Sequence, residues 1–151
     1  MTNQEQHIMR LALRALAAAE AGPTPTDLAD APLIELWQVL LNPRGAPVLY
    51  GYASGHPNLG TQTVRTSWLI AIDRDAGWAR TLNRYYRLGR SLEEAARHGV
   101  NRDPAQAEVA PGTYNYEYPG YTPITDHAVL RELLAVHAAQ LRTLATDTGI
   151  S

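Results

Sequence analysis

The sequence contains no cysteine, no lysine and no phenylalanine among its 151 residues. Without cysteine, a disulfide framework, a thiol nucleophile, a cysteine-ligated zinc site and an iron–sulfur cluster are all excluded. All 13 basic residues are arginine, and 15 acidic residues bring the net charge to −2. No overall excess of charge therefore points to nucleic acid or to a membrane surface.

Long apolar runs are also missing. The longest uncharged stretch, residues 46–64, is rich in Gly, Thr and Pro and is too polar to span a membrane. The Ala- and Leu-rich stretch 11–21 is interrupted by Arg14 and Glu20, which argues against a signal peptide. We therefore expect a cytoplasmic protein, and its length fits a single domain over residues 1–151.

Helical periodicity predicts two long helices. One covers residues 4–21 behind a Thr2 and Glu5 capping box, and the other covers residues 124–146 with Pro123 at its start. Two shorter helical signals are one turn near Thr26 or Asp27 and a helix opened by a Ser91 and Glu94 capping box and ending at Gly99.

Between the long helices the apolar pattern takes the two-residue period of strands. It predicts four strands, over residues 33–41, 48–53, 64–72 and 78–86. Their short connections leave no room for crossovers, so we expect antiparallel pairing. In the third strand, alternation places these residues on one face: Val64, Thr66, Trp68, Ile70 and Ile72. The predicted class is α+β, a four-stranded antiparallel sheet, or a five-stranded one with residues 113–118, packed against N- and C-terminal helices.

One block of the sequence resembles an uncharacterised family of short proteins from GC-rich proteobacteria and their phages and plasmids. The block covers about residues 36–90. It consists of Gly55-His56-Pro57, Arg65-Thr66-Ser67, Ile72-Asp73, Gly77-Trp78-Ala79-Arg80-Thr81 and Asn83-Arg84-Tyr85-Tyr86-Arg87-Leu88-Gly89. The resemblance implies the setting of a mobile genetic element and no particular chemistry.

Positive charge is concentrated in residues 65–102, which hold eight arginines and four acids for a net +4. Arginine beside Trp and Tyr suits single-stranded nucleic acid, which needs cations and stacking platforms. The candidate nucleic-acid-binding residues are Arg65, Trp68, Arg80, Arg84, Arg87 and Arg90. The alternative is internal pairing with residues 103–151, whose net charge is −4.

The turn around His56 carries the only candidate chemistry. A nucleophilic set with Ser67 and Asp73 lacks the sharp Gly-x-Ser-x-Gly turn that exposes such a serine. His56, Arg84 and Tyr86 form a weak catalytic set that could cut RNA by moving protons and offsetting phosphate charge. The alternative is a histidine that bonds the backbone of its own turn.

No metal or cofactor is expected. His127 and His137 lie ten residues apart on one predicted helix, about 15 Å, which is too far to share a metal ion. The sequence contains neither a P-loop nor a dinucleotide-binding glycine motif.

Four tyrosines alternate near the start of the last helix: Tyr114, Tyr116, Tyr118 and Tyr121. Such residues are typical of protein-binding loops, and the alternative is an edge strand whose tyrosines cover the sheet. We therefore expect a non-enzymatic interaction protein of a mobile element, with a protein partner in a host defence or regulatory complex. A nucleic-acid-binding module is the second expectation, and a His-dependent hydrolase or nuclease the third.

Overall fold

The computed structural model describes residues 1–56, 60–98 and 115–150. The chain forms an α+β fold with a six-stranded sheet. Its helices are α1 (Asn3–Ala21), α2 (Pro25–Asp30), α3 (Leu92–His98) and α4 (His127–Thr148). Its strands are β1 (Leu33–Leu41), β2 (Pro47–His56), β3 (Gly60–Asp73), β4 (Trp78–Thr81), β5 (Tyr85–Leu88) and β6 (Thr122–Ile124). The predicted class is confirmed, whereas the prediction of a purely antiparallel four-stranded sheet is wrong.

The first five strands close into a barrel. Each pairs antiparallel with the next along the chain, and β1 pairs with both β2 and β5. Since direction alternates along this meander, the fifth strand runs the same way as the first. The closing contact between β1 and β5 is therefore parallel, with Leu33 opposite Arg87 and Ile34 opposite Leu88.

The strand predicted over residues 78–86 is two strands joined by a tight turn. Thr81 donates its backbone N–H to the Arg84 carbonyl at 2.9 Å, and its Oγ1 accepts from the Arg84 N–H at 3.4 Å. The chain thereby reverses, and Arg80 pairs with Tyr85. Ala79 and Tyr86 both pack in the core although they are seven residues apart, so the two-residue alternation changes phase at the turn. A single predicted strand does not allow for this change.

The predicted faces of β3 are wrong at Trp68 and Ile70. Val48 pairs with Trp68 and Tyr50 with Arg65, so β3 carries an extra residue in a bulge. The bulge turns Trp68 outward, where it is 39% exposed, and Leu69 inward, where it is 2% exposed. A second bulge before Ala71 restores the original order, and Ile72 packs against the core.

The N-terminal helix follows its prediction closely. The Thr2 and Glu5 capping box is present, and α1 buries Met9, Ala12, Ala15 and Leu16. The Tyr85 hydroxyl donates to the Ala18 carbonyl at 2.7 Å, which ties the end of α1 to the barrel. The predicted turn near Thr26 is α2, and Ser91 Oγ accepts from the Glu94 N–H at 3.1 Å at the start of α3. Gly99 lies outside the described residues.

The start of the C-terminal helix differs from its prediction. Pro123 lies in β6, which pairs with β1 opposite Leu40, and α4 begins at His127 behind the N-cap Asp126. Proline is tolerated in a strand at a sheet edge. Residues 115–118 form no strand, and 113–114 lie outside the described residues, so β6 extends the sheet in place of the expected segment 113–118.

A bend in β1 lets this strand pair with β5 at its start and with β6 at its end. Leu36 adopts a positive φ of 53°, and the register with β2 shifts between Glu35 and Gln38. Opposite the bend, a Cβ on Gly51 would lie 2.9 Å from the Glu35 carbonyl oxygen. Only glycine lets the two backbones approach this closely.

Candidate functional site

One end of the barrel is open because β2 and β5 extend beyond the first residue of β1, which lies between them. Leu33 pairs with Ser54 of β2 and with Arg87 of β5. The residues that follow Ser54 and those that precede Arg87 therefore extend beyond β1 and face each other across a gap. His56 and Tyr86 meet there, with their ring centroids 6.4 Å apart.

A bulge at the end of β2 directs His56 into this gap. The register between β2 and β3 shifts between Ala53 and His56, and Gly55 has a φ of +74°. Without the bulge, alternation would place His56 on the outer face with Tyr50 and Tyr52. Bulges with glycine in the left-handed region redirect side chains at barrel rims in this way.

The gap opens into a cavity of about 270 Å³, called the mouth cavity below. Its lining residues come from β2, β3, β4, β5 and the turn between the last two: His56, Val64, Arg65, Thr66, Ser67, Thr81, Asn83, Arg84 and Tyr86. All nine lie within the block of residues 36–90, and all except Val64 are among the motif residues quoted for it above. Among the described residues the lining contains no carboxylate, whereas two guanidinium groups, an imidazole, a phenol, an amide and three small hydroxyls are present. This composition suits an anion.

The protonation states in the mouth cavity are set by burial and by Arg84. Burial, followed by the charge of Arg84, lowers the pKa of His56 from its usual 6.5. Burial raises the pKa of Tyr86 from its usual 10.0, and Arg84 opposes this shift. At neutral pH the cavity therefore holds a neutral imidazole that can accept a proton beside a phenol that can donate one.

Two hydroxyl residues lie in the bulge of β3. Thr66 Oγ1 accepts from the Leu49 N–H at 3.0 Å and donates to the Ser67 carbonyl at 2.7 Å, which bridges the irregular ladder. Ser67 Oγ is buried and has no hydrogen-bond partner among the described residues. The set with Asp73 does not assemble, because the Asp73 carboxylate accepts from the Ala76 N–H at 2.9 Å in the turn after β3.

The six candidate nucleic-acid-binding residues occupy separate places. Only Arg65 and Arg84 line the mouth cavity. Arg80 stacks over Tyr85 at 4.9 Å, and Arg87 Nε donates to the Ala31 carbonyl at 3.1 Å. Trp68 lies on the outer face, and Arg90 is exposed. The six residues therefore do not form one continuous binding surface.

The alternative for these arginines was pairing with the acidic C-terminal third. In the described parts of the chain, the ion pairs join Arg74 to Glu94, Arg97 to Glu93 and Arg142 to Glu20. No arginine of residues 65–98 forms an ion pair with an acid of residues 115–150. The positive charge at the mouth cavity is thus not neutralised from that segment.

Three of the alternating tyrosines pack on the barrel. Together with Tyr50 they form a tyrosine cluster: Tyr50, Tyr116, Tyr118 and Tyr121, with ring centroids 4.7 to 5.8 Å apart in the contacting pairs. The Arg65 guanidinium carbon lies 5.1 and 5.3 Å from the ring centroids of Tyr118 and Tyr121, and Arg65 Nη1 donates to the Tyr118 hydroxyl at 2.8 Å. The cluster therefore holds one cation of the mouth cavity.

The buried side chain of Gln38 fixes this segment to the bend of β1. Its amide donates to Asn115 Oδ1 at 2.7 Å, and its carbonyl oxygen accepts from the Tyr116 N–H at 2.9 Å. The Tyr116 hydroxyl donates to the Leu36 carbonyl at 2.6 Å. The three tyrosines are consequently half-buried, and Tyr114 lies outside the described residues.

A second cavity, the apolar groove, was not predicted. It lies between α1, α4 and β3, has a volume of about 380 Å³, and is lined mainly by Leu16, Trp68, Leu69, Leu134, Leu141 and Leu144. Leu134, Leu141 and Leu144 recur at the spacing of one face of α4, on which only Leu130 is buried. Leucines repeated along one helix face are the sequence signal that could have indicated an apolar groove.

No group of three metal-ligating side chains occurs within residues 1–56, 60–98 and 115–150. In the same part of the chain, no helix is long and apolar enough to cross a membrane.

Comparison with known proteins identifies the family. No curated protein and no solved structure matches the chain. One family model matches residues 4–151, which includes both long helices as well as the block around the mouth cavity. The chain therefore belongs to DUF6634, a family of unknown function.

Proposed function

We propose that this protein binds single-stranded nucleic acid and that the mouth cavity holds a backbone phosphate. The observation that carries the proposal is the lining of the cavity: in the part of the chain that the structure describes, it combines Arg65, Arg84 and His56 with hydroxyl and amide donors and contains no carboxylate. Arg84 is half-buried, and a half-buried cation without a counter-charge is less favourable than one that an anion neutralises. The unpartnered Ser67 hydroxyl adds a donor for the same anion.

Aromatic groups near the cavity favour nucleic acid over a free inorganic anion. Arg65 lies both on the cavity wall and against the rings of the tyrosine cluster. On the neighbouring strand, Tyr52 is 48% exposed and offers a platform on which a base can stack. Base stacking on aromatic residues contributes about 1–3 kcal/mol per base without requiring a particular sequence.

The proposal includes the genetic and cellular setting of the protein. The resemblance of the block to proteins of phages and plasmids suggests an accessory role for a mobile element, in the cytoplasm, where single-stranded nucleic acid is available. Unpaired bases and accessible phosphates are the features that such a site would recognise.

The test is an anisotropy titration with short single-stranded RNA and DNA and with duplex DNA, each at low and near-physiological salt. Arg84→Ala should weaken binding of single strands about 10- to 100-fold, since charge-assisted hydrogen bonds contribute about 1.5–3 kcal/mol. It should also lower the salt slope by about one.

Arg90→Ala is the matched control. Arg90 is exposed and is held through its backbone: its N–H donates to the Glu35 carboxylate at 2.9 Å, and its carbonyl accepts from the Trp37 N–H at 3.4 Å. The side-chain change should leave affinity within about twofold. Equal losses from the two variants would favour a diffuse arginine surface, and binding that ignores salt would refute the proposal.

The second candidate is a protein-interaction role at the apolar groove. It is favoured by Trp68 and Leu144, which are 39% and 44% exposed beside the groove. Tryptophan is frequent among residues that dominate binding energy at interfaces. Capture experiments with the native protein and with Trp68→Ala test it, because a partner of the groove should be lost with Trp68 and kept with Arg84→Ala.

A further inference from the structure

We propose that the mouth cavity cleaves the RNA strand whose phosphate it holds, by intramolecular transesterification. The inference rests on the proposed function and names an activity for the same site. RNA supplies its own nucleophile, the 2′-hydroxyl, so the protein needs only a base, an acid and a cation near the phosphate. His56, Tyr86 and Arg84 are groups of these three kinds, and all three line one cavity.

His56 is placed to act as the base. The bulge at Gly55 turns it toward Tyr86, with 6.4 Å between the ring centroids. Both side chains line the same cavity of about 270 Å³, so a phosphodiester held there can lie against both. The imidazole is neutral at neutral pH because burial and Arg84 lower its pKa.

Tyr86 is placed to act as the acid. Its ring belongs to the barrel core and is 3% exposed, so its position is fixed by packing. Arg84, in the turn that precedes it, supplies the positive charge that a pentacoordinate phosphorane requires. Asn83 and the Ser67 hydroxyl are further donors to non-bridging oxygens.

The step balances without a further reactant. His56 accepts the proton of the 2′-hydroxyl, the 2′-oxygen forms a bond to phosphorus, and the bond from phosphorus to the 5′-oxygen breaks. The Tyr86 hydroxyl protonates the departing 5′-oxygen. The products are a 2′,3′-cyclic phosphate and a 5′-hydroxyl end, and proton transfer from the His56 imidazolium to the Tyr86 phenolate restores both groups.

The test incubates the full-length protein with a short single-stranded RNA and with the 2′-deoxy strand of the same sequence. We expect the RNA alone to be cut, and mass spectrometry to detect the cyclic phosphate end. His56→Gln and Tyr86→Phe should each lower the rate about 100- to 10,000-fold, the usual contribution of a general acid or base. Both variants should still bind the 2′-deoxy strand, and Arg10→Ala, a change at an exposed position of α1, purified in the same way, should cut at the native rate.

The outcomes separate this inference from the proposed function. If the 2′-deoxy strand does not bind, the proposed function fails. If it binds and the RNA stays intact, only the cleavage inference fails. Cleavage that persists at the native rate in both His56→Gln and Tyr86→Phe, or cleavage of the deoxy strand, also overturns the inference. Should Tyr86→Phe fail to fold, His56→Gln decides alone, since His56 lies at the open end of the barrel.

Discussion

The mouth cavity and the apolar groove meet on adjacent residues of one strand. Ser67 lines the mouth cavity, whereas Trp68 lines the groove. As far as the described residues form it, the wall of the mouth cavity is rich in hydrogen-bond donors and lacks carboxylates, whereas the wall of the groove is mainly aliphatic and aromatic. The bulge in β3 separates them, because it turns Trp68 outward and leaves Ser67 at the barrel end. A single added residue in a ladder can thus divide two chemically different surfaces.

Removing Leu130, a core residue contributed by α4, should give the largest effect on stability and should leave binding at the mouth cavity unchanged. Leu130 is 2% exposed and is the one buried residue of α4, whereas no residue of α4 lines the mouth cavity. We expect Leu130→Ala to lower the free energy of unfolding by about 2–5 kcal/mol, measured by urea denaturation. At temperatures where the variant is folded, its affinity for single-stranded nucleic acid should equal that of the native protein.

Val136→Ala is the control for this variant. Val136 lies on the same helix and is 52% exposed, so its truncation should change stability by less than about 0.5 kcal/mol. A loss of nucleic-acid affinity in Leu130→Ala, in step with its loss of stability, would show that the two regions are coupled through the core.

The sequence could predict features that depend on neighbouring residues, but not those that depend on pairing between distant strands. Capping boxes depend on residues three apart, so Thr2 with Glu5 correctly located the start of α1. The faces of β3 depend on its register with β2, which is a non-local property. Alternation therefore misplaced Trp68 and Leu69, and with them the boundary between the mouth cavity and the groove.

The candidate site was predictable in its residues and not in its geometry. His56, Arg84 and Tyr86 were grouped for their chemistry, and all three line the mouth cavity. The distances between them depend on where β1 begins relative to β2 and β5 and on the closure of the barrel by the β1–β5 pairing. Both are contacts between distant parts of the chain, which a local sequence pattern does not predict. Pro123 is a second example. The local sequence around a proline does not distinguish the start of a helix from a strand at the edge of a sheet, and the pairing of Pro123 with Leu40 is what makes it part of a strand.

Replacing Gly55 should have an intermediate effect and should affect only the mouth cavity. Gly55 has a φ of +74°, and no atom of the described residues lies within 4 Å of an added Cβ, so the strain in Gly55→Ala comes from its backbone conformation. We expect a loss of about 1–3 kcal/mol in stability. Relief of the strain should flatten the bulge and turn His56 away from Tyr86. Nucleic-acid affinity should fall, as measured by anisotropy.

Gly22→Ala is matched to this variant. Gly22 caps α1 with a φ of +80°, and an added Cβ there also meets nothing within 4 Å. It should lose a similar amount of stability and keep its affinity. If both variants lose affinity equally, the effect belongs to general destabilisation, and the role of the bulge in directing His56 is refuted.

The smallest expected effect is a dependence of binding on pH. The pKa of His56 lies below 6.5 in the free protein, because of burial and Arg84. A bound phosphodiester stabilises the imidazolium and raises that pKa, so binding takes up a proton and tightens as the pH falls below about 6.5. The other ionisable side chains of the cavity are Arg65, Arg84 and Tyr86, and burial raises the pKa of Tyr86 from its usual 10.0.

We therefore expect the affinity for a short deoxy strand to rise about three- to tenfold between pH 7.5 and pH 5.5, since the phosphodiester charge is constant there. His56→Gln should remove the rise. His127→Gln should retain it, because His127 also has a lowered pKa but lies outside the mouth cavity. An affinity that stays flat in the native protein, or a rise that survives His56→Gln, would mean that the imidazole does not contact the phosphate and that Arg84 holds it alone.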